Sequence, residues 1–295
     1  MNQGYEYRER IGPGAAGQTV LAHLVERYRH SDEATWRTRI AEGEILLDGQ
    51  APPPTEALRA GQSLVWRRPP WEEPPVPLSF AVLHLDEDLL AVGKPRGLPT
   101  IPHGGLYLTH TLVHQVRRRW PEATPMHRLG RGTSGIVLLA RTRTARQAVT
   151  TAWREGRVEK QYLALVSGIP REETFTVDAP IGPVSHPRLG QVHAASKDGK
   201  PSVSHVRRLT AQHDRALVEV SIPTGRPHQI RIHLAAAGHP LVGDPLYGKG
   251  GLPLAEPALP GEGGFWLHSH RLALTHPATG DRLELECPPP PQLRP

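Results

Sequence analysis

A chain of 295 residues with a formal net charge of +6 and a pI of about 9.8 has room for one large domain and a small one, and its basic balance favours a polyanionic partner. The single cysteine, Cys287, excludes a disulfide framework and a thiolate metal site. The N-terminus lacks the apolar core of a signal peptide and no apolar run approaches a membrane span of roughly 18 residues, so we expect a soluble cytoplasmic protein. We also expect a monomer.

Hydrophobic periodicity predicts a small domain over residues 1–68. Its elements are a helix over 19–28, a helix over 33–42 capped by Ser31 or Asp32, a strand over 45–47, a turn at 48–49 and a strand over 61–66. This arrangement resembles the RNA-binding domain of small-subunit ribosomal protein four. The resemblance implies that Arg37 and Arg39 of the second helix contact RNA, whereas the alternative is a helical cap with a solvated arginine face.

Residues 69–77 hold five prolines in nine positions, which predicts a stiff linker over 69–79. Beyond it we expect a domain over 80–287 and an extended Pro-rich tail over 288–295. Irregular alternation of strands and helices favours an α+β fold around a mixed or antiparallel sheet. The predicted elements are strands over 89–92, 136–140, 157–166 and 217–222, helices over 109–119 (capped by Thr109) and 142–155, and a short helix between Pro227 and Gly238 with a buried stripe of Ile230, Leu234 and Ala237.

The run 127–135, HRLGRGTSG, is the most informative motif. Its three glycines and two arginines could cradle a phosphate, although glycines before an apolar strand are also common in ordinary loops. The run resembles the signature loop of the RluA-type RNA pseudouridine synthases, in which an aspartate follows His-Arg-Leu and is the essential nucleophile. Here Gly130 occupies that position, and a glycine has no side chain with which to attack.

Further motifs extend the resemblance over residues 80 to 285. They are 86–95, 157–166, 224–234, 238–244 and 267–280. The resemblance implies that Tyr162 packs against the target uridine and that Arg231 pairs with the catalytic aspartate; without an aspartate, Arg231 would face empty space or an RNA phosphate. Asp244 is expected to fix a turn. The resemblance also implies RNA contacts by Lys94, Arg128, Arg131, Lys160, Arg226 and His228.

The resemblance implies an enzyme that flips uridine out of folded RNA and isomerises it to pseudouridine without a cofactor or metal. Ribosomal RNA is the expected partner, with transfer RNA as an alternative. Three hypotheses for Gly130 stay open: another carboxylate substitutes, the chain is a catalytically silent RNA-binding protein, or it represents a subfamily with altered chemistry. Candidate carboxylates are Asp86, Asp88, Asp178, Asp198 and Asp214.

Other functions find less support in the sequence. The chain has no phosphate-loop or dinucleotide motif, which excludes the common nucleotide-binding enzymes. Two histidine pairs, His110 with His114 and His268 with His270, have ligand-like spacing. Neither pair has a third ligand at matching spacing, so no metal is expected.

Overall fold

The computed structural model describes residues 1–102, 105–257 and 263–294. The chain forms two compact units, Met1–Glu73 and Pro74–Pro295. The division between them falls inside the Pro-rich segment predicted to be a linker. In the described residues, no helix has the length and apolar character needed to cross a membrane.

The first unit packs two helices against a three-stranded antiparallel sheet of order β1-β3-β2. The side chain of Thr19 accepts a hydrogen bond from the Ala22 amide, and that of Asp32 accepts one from the Thr35 amide, so these two residues cap the helices. Strand β1 was not predicted, because its sequence, YEYRER, alternates aromatic with charged residues and carries little apolar signal. The elements are β1 (Tyr5–Arg10), α1 (Val20–Arg27), α2 (Glu33–Ala41), β2 (Ile45–Leu47) and β3 (Ser63–Arg68).

The second unit is built on a mixed sheet of ten strands, which agrees with the predicted α+β fold around a mixed or antiparallel sheet. Its main path is β4-β5-β7-β14-β8-β13-β12-β9, with β6 beside β7 and β15 beside β14; β10 and β11 form a separate hairpin. The elements are β4 (Ala81–Leu85), β5 (Leu89–Lys94), α3 (Leu112–Arg117), β6 (Thr124–Pro125), β7 (Ser134–Ala140), α4 (Arg143–Arg154), β8 (Glu159–Ser167), β9 (Thr174–Val177), β10 (Ile181–His186), β11 (Gly190–Ala195), β12 (Ser204–Gln212), β13 (Arg215–Ser221), α5 (Gln229–Ala236), β14 (Leu267–Thr275) and β15 (Arg282–Glu286).

Helices cover both faces of the central strands. Alternate residues of β5 and β7 point into two separate clusters, one with α3 and α5 and the other with α4. Burial on both faces explains why β7 reads as an almost continuous apolar run. The fold thus places α5 and the segment before β7 on the same side of the sheet, where Leu129, Tyr162 and Ile230 share one core cluster.

The two halves of the sheet meet at a short junction between β7 and β14, the one parallel pair among the described strands. Only Ser134–His268 and Gly135–Ser269 are in register there. The Ser134 hydroxyl and His268 Nδ1 lie 2.9 Å apart, and the strands approach so closely that a Cβ on Gly135 would be 2.1 Å from the Ser269 carbonyl oxygen. With φ of 106°, position 135 requires glycine. We call these four residues the β7–β14 junction.

Three predicted features differ from the structure. Helix α3 is shorter than predicted and is capped by Thr111, not Thr109. In α5 nearly every residue is buried, including Ile230 and Leu234 of the predicted stripe, but Ala237 lies past the end of the helix and is only half-buried. The tail is not simply extended: Pro291–Leu293 form a 3-10 turn, and Leu293 is fully buried in the cluster of Leu163 and Leu217. Pro295, at the end of the predicted tail, lies outside the described residues.

Candidate active site

The motif loop, residues 127–133, leads into β7 at Ser134, where β7 pairs with β14. His127 anchors its start: Nε2 accepts a hydrogen bond of 3.0 Å from the Leu138 amide, and the ring stacks on Trp153 with centroids 4.8 Å apart. This acceptor role requires a neutral ring with its proton on Nδ1. Burial, together with the charge of Lys160, lowers the pKa of His127 to about 4, which keeps the ring in that form at neutral pH.

Lys94 and Thr100 stabilise the motif loop through hydrogen bonds to backbone groups. The Lys94 ammonium donates to the carbonyl oxygens of Leu98, at 2.6 Å, and Pro95, at 3.0 Å, and lies 3.4 Å from that of Arg131. The Thr100 hydroxyl bonds both the carbonyl and the amide of Leu129. Lys94 is only 1% exposed. The prediction that Lys94 contacts RNA is therefore wrong: its charge is used to stabilise loop carbonyls.

Gly130 lies at the exposed tip of the loop. Its φ is outside the left-handed region, and a Cβ placed there would have Thr133 Oγ1, at 3.9 Å, as its nearest neighbour. The backbone therefore has an ordinary conformation with room for a side chain. Neither steric crowding nor an unusual φ requires a glycine at this position.

Arg231 pairs with Asp244, a partner that the sequence did not indicate. Its Nε and Nη2 each lie 2.7 Å from an Asp244 carboxylate oxygen, and the two side chains are 4% and 1% exposed. Asp244 also accepts the amides of Leu246 and Tyr247, so it fixes its turn. The expectation that Arg231 would face empty space or RNA phosphate is wrong, because a buried charge of this kind needs a partner and Asp244 supplies it.

The guanidinium of Arg231 also lies near two rings, with its carbon 4.9 Å from the centroid of Tyr247 and 4.4 Å from that of Phe265. Phe265 belongs to the core cluster that includes Leu129 of the loop. The ion pair therefore packs against the same core cluster as the motif loop.

Tyr162 reaches the loop through the β7–β14 junction. It is in register with Ser269, which is itself in register with Gly135, so three adjacent strands bring Tyr162 next to the end of the motif. Burial raises the pKa of Tyr162, while a hydrogen bond from Ser269 opposes that shift. At neutral pH the hydroxyl is thus protonated and can donate a hydrogen bond.

Lys160 does not lie on an RNA-facing surface. It is 8% exposed, its ammonium lies 5.6 Å from the Trp153 ring centroid, and desolvation lowers its pKa. The prediction of an RNA contact by Lys160 is therefore not supported by its position. The side chain instead helps to keep His127 neutral.

His228 precedes α5 with φ of 55°, an uncommon conformation for a residue with a side chain. Its Nδ1 lies 2.9 Å from the Tyr247 hydroxyl, whose own proton is donated to the His193 carbonyl at 2.7 Å. Residue 228 keeps much of its surface exposed, but the groups around the ring desolvate it and so lower the pKa of His228 to about 4.

The predicted arginines differ in their availability. Arg128 is exposed on the loop, and Arg131 is half-buried there; Arg226 donates to the Pro201 carbonyl at 3.2 Å. In the first unit Arg37 is exposed and paired with Glu33, whereas the guanidinium of Arg39 lies 4.6 Å from the ring centroids of both Trp36 and Trp66. Arg39 therefore stabilises an aromatic cluster.

None of the five candidate carboxylates is joined to the motif loop by a hydrogen bond or ion pair in the described chain. Asp86 and Asp88 lie at the far end of β5, because Leu89 pairs with Ala140 whereas Lys94 pairs with Gly135. Asp178 and Asp198 are exposed on other segments, and Asp214 is 87% exposed in the turn between β12 and β13.

His84, Asp86 and His276 form a cluster with potential metal-ligand atoms within 4.8 Å of one another. However, His276 Nδ1 accepts the amides of Ala278 and Thr279, which places its proton on Nε2, directed at Asp86. A proton in this position favours a hydrogen-bonded network over a metal site. The predicted ligand pairs are also engaged otherwise, since His268 and His270 both bond the Cys287 carbonyl and His110 bonds that of Pro74.

Comparison with known proteins assigns the chain to a family. The sequence profile of the RNA pseudouridylate synthase family matches residues 88–236. An uncharacterized RNA pseudouridine synthase of Synechocystis is 44% identical over 277 residues, covering 93% of this chain and 95% of that one. Ribosomal large subunit pseudouridine synthase D of Neisseria meningitidis is 31% identical, covering 94% and 76%.

A solved structure agrees with this assignment. Human RNA Pseudouridylate Synthase Domain Containing 4 is 26% identical and superposes with a TM-score of 0.57, covering 72% of this chain and 90% of the human one. The matched fold, the ordered motifs and the sequence identity point the same way. The chain belongs to the RluA-type family of RNA pseudouridine synthases.

Proposed function

We propose that this chain converts uridine to pseudouridine in structured RNA even though Gly130 stands where the family nucleophile is expected. The observation that carries the proposal is the Arg231–Asp244 pair. Because Asp244 neutralises the buried Arg231, the electrostatic balance of the site does not depend on a carboxylate at position 130. Tyr162 keeps its place beside the motif loop as well.

Ribosomal RNA is the substrate that we propose. The Neisseria relative is named for the ribosomal large subunit, and the sequence of the first unit is similar to that of a ribosomal RNA-binding domain. Exposed Arg37 of that unit and Arg128 of the motif loop are the cations we expect at phosphates. Each exposed arginine should add to the salt dependence of RNA binding.

Pseudouridine mapping in a strain that lacks the gene tests the activity. Ribosomal RNA from the deletion strain should lose pseudouridine at one or more positions, and the native gene should restore them. Tyr162→Phe, which keeps the ring and removes the hydroxyl, should restore the sites poorly. If deletion changes no uridine while the purified protein still binds ribosomal RNA tightly, the chain is a silent RNA-binding protein and the proposal fails.

A further inference from the structure

Position 130 supplies no carboxylate to the site, but hydrogen bonds fix the His228 ring in a tautomer that can accept a proton. Tyr247 donates its proton to the His193 carbonyl, so toward His228 its oxygen can only accept. His228 must therefore carry its proton on Nδ1. The other ring nitrogen, Nε2, then has an available lone pair, and it has no hydrogen-bond partner among the described residues.

The backbone supports a functional reading of this histidine. Position 228 has a left-handed φ of 55° at the start of α5, and its side chain does not cap the helix. Such a conformation costs free energy in a residue other than glycine, and it is common at functional sites. Here it accompanies the contact of the ring with the Tyr247 hydroxyl.

The ring centroid of Tyr247 lies 5.7 Å from that of His228 and 4.9 Å from the guanidinium carbon of Arg231. Arg231 in turn contacts Phe265, which shares a core cluster with Leu129 of the motif loop. Arg128 of that loop, Arg231, His193 and Asp244 are the charged and titratable groups near enough to act on the ring. Desolvation is the largest effect and lowers the pKa of His228 to about 4. The two arginines and His193 also lower it, whereas Asp244 raises it. The ring is neutral at physiological pH.

Other groups at the site are unsuited to accept a proton. Asp244 is fully engaged by Arg231 and two amides, and Tyr162 remains protonated. His127 uses Nε2 to accept the Leu138 amide. Arg128 and Arg131 are cations. Within the described part of the site, the rings of His228 and His193 are the remaining basic groups, and of these two His228 is the one that a hydrogen bond fixes in a single tautomer.

We propose that His228 Nε2 accepts the proton that leaves C5 of the uracil ring, an inference that rests on the proposed function. The isomerisation breaks the bond between N1 and C1′, forms one between C5 and C1′, and moves one proton from C5 to N1. The electrons of the C5–H bond restore the uracil double bond when His228 takes the proton. The imidazolium then releases that proton while N1 gains one, so the reaction is balanced and needs no other reactant.

A pair of substrates tests this step separately from the rest of the reaction. RNA labelled with [5-³H]uridine, taken from a strain lacking the gene, releases tritium to water only when the C5–H bond breaks. RNA with 5-fluorouridine at the mapped site can rearrange, but its C5 carries no proton to remove. His228→Gln should slow tritium release about 100-fold, while the rearrangement of 5-fluorouridine, followed by nucleoside mass spectrometry, keeps the native rate.

The matched control is His213→Gln. His213 has φ of 56°, almost the same as His228, but is exposed in the turn between β12 and β13. It should keep native rates on both substrates. A second variant, Tyr247→Phe, keeps the His228 ring and removes the hydroxyl that fixes its tautomer; it should slow tritium release less than His228→Gln does and also spare 5-fluorouridine.

The outcomes are distinct. Native tritium release by His228→Gln would overturn the inference, and so would an equal loss on both substrates, since that would make His228 a binding residue. An absence of turnover by the native protein on either RNA would instead overturn the proposed function itself.

Discussion

Replacing Asp244 by Asn tests the charge balance on which the proposed function depends. The amide keeps the size of the carboxylate, and its oxygen can still accept the amides of Leu246 and Tyr247, but it leaves the Arg231 cation buried at 4% exposure without its countercharge. Removing one partner of a buried ion pair costs about 3–5 kcal/mol. For a unit of this size, 1 kcal/mol shifts Tm by about 2–4 °C, so we expect a fall of about 6–20 °C.

Thermal and urea unfolding of the full chain, followed by circular dichroism, measure this loss. Glu159→Gln is the matched control, because Glu159 and Arg282 also form a two-pronged pair, at 2.7 and 2.9 Å, but at 62% and 55% exposure. That control should lose no more than about 1 kcal/mol. If Asp244→Asn is as mild as the control, Arg231 is neutralised elsewhere and our account of the site is refuted.

Three further substitutions test the motif loop and its surroundings. Gly130→Asp should leave Tm within about 2 °C, because its Cβ meets only Thr133 Oγ1 at 3.9 Å, and should raise pseudouridine formation; unchanged turnover would mean that the loop tip does not face the uridine. Gly135→Ala should prevent native folding, since its Cβ would lie 2.1 Å from Ser269 O, whereas Gly225→Ala, with open space, should fold normally in a solubility and circular dichroism assay. His127 should make the free energy of unfolding depend on pH. Its pKa in the folded chain, about 4, is below the ordinary 6.5, so up to about 3 kcal/mol of stability is lost as the pH falls from 6.5 to 4. Urea titrations should show a smaller loss for His127→Gln, whose amide oxygen accepts the Leu138 amide without titrating.

Local patterns predicted most of the regular structure. The strands β7 and β8, the helix α4 and the cap Asp32 are encoded within a few residues, and each appears in the structure close to where it was expected. The β7–β14 junction could not be predicted in this way. It joins residues 134 positions apart through two pairs, and no short-range periodicity specifies which strands will meet.

Charged residues were harder to interpret than apolar ones. Lys94 and Lys160 belong to recognisable motifs, so a basic side chain in an RNA-modifying protein suggested a phosphate contact. In the structure both are buried, one against carbonyl oxygens and the other beside Trp153. The sequence shows that a lysine carries charge, but only the folded chain shows whether its ammonium group contacts solvent or a set of carbonyl oxygens.

The Arg231–Asp244 pair changes what the glycine at position 130 implies for the site. From sequence, an absent aspartate implied that Arg231 faces empty space or an RNA phosphate. The structure supplies that charge from Asp244, 13 positions after Arg231 in the chain, and the same turn brings Tyr247 under His228. One short segment therefore both neutralises the arginine and fixes the tautomer of a neutral base. The charge of Arg231 is thus balanced without a carboxylate at position 130.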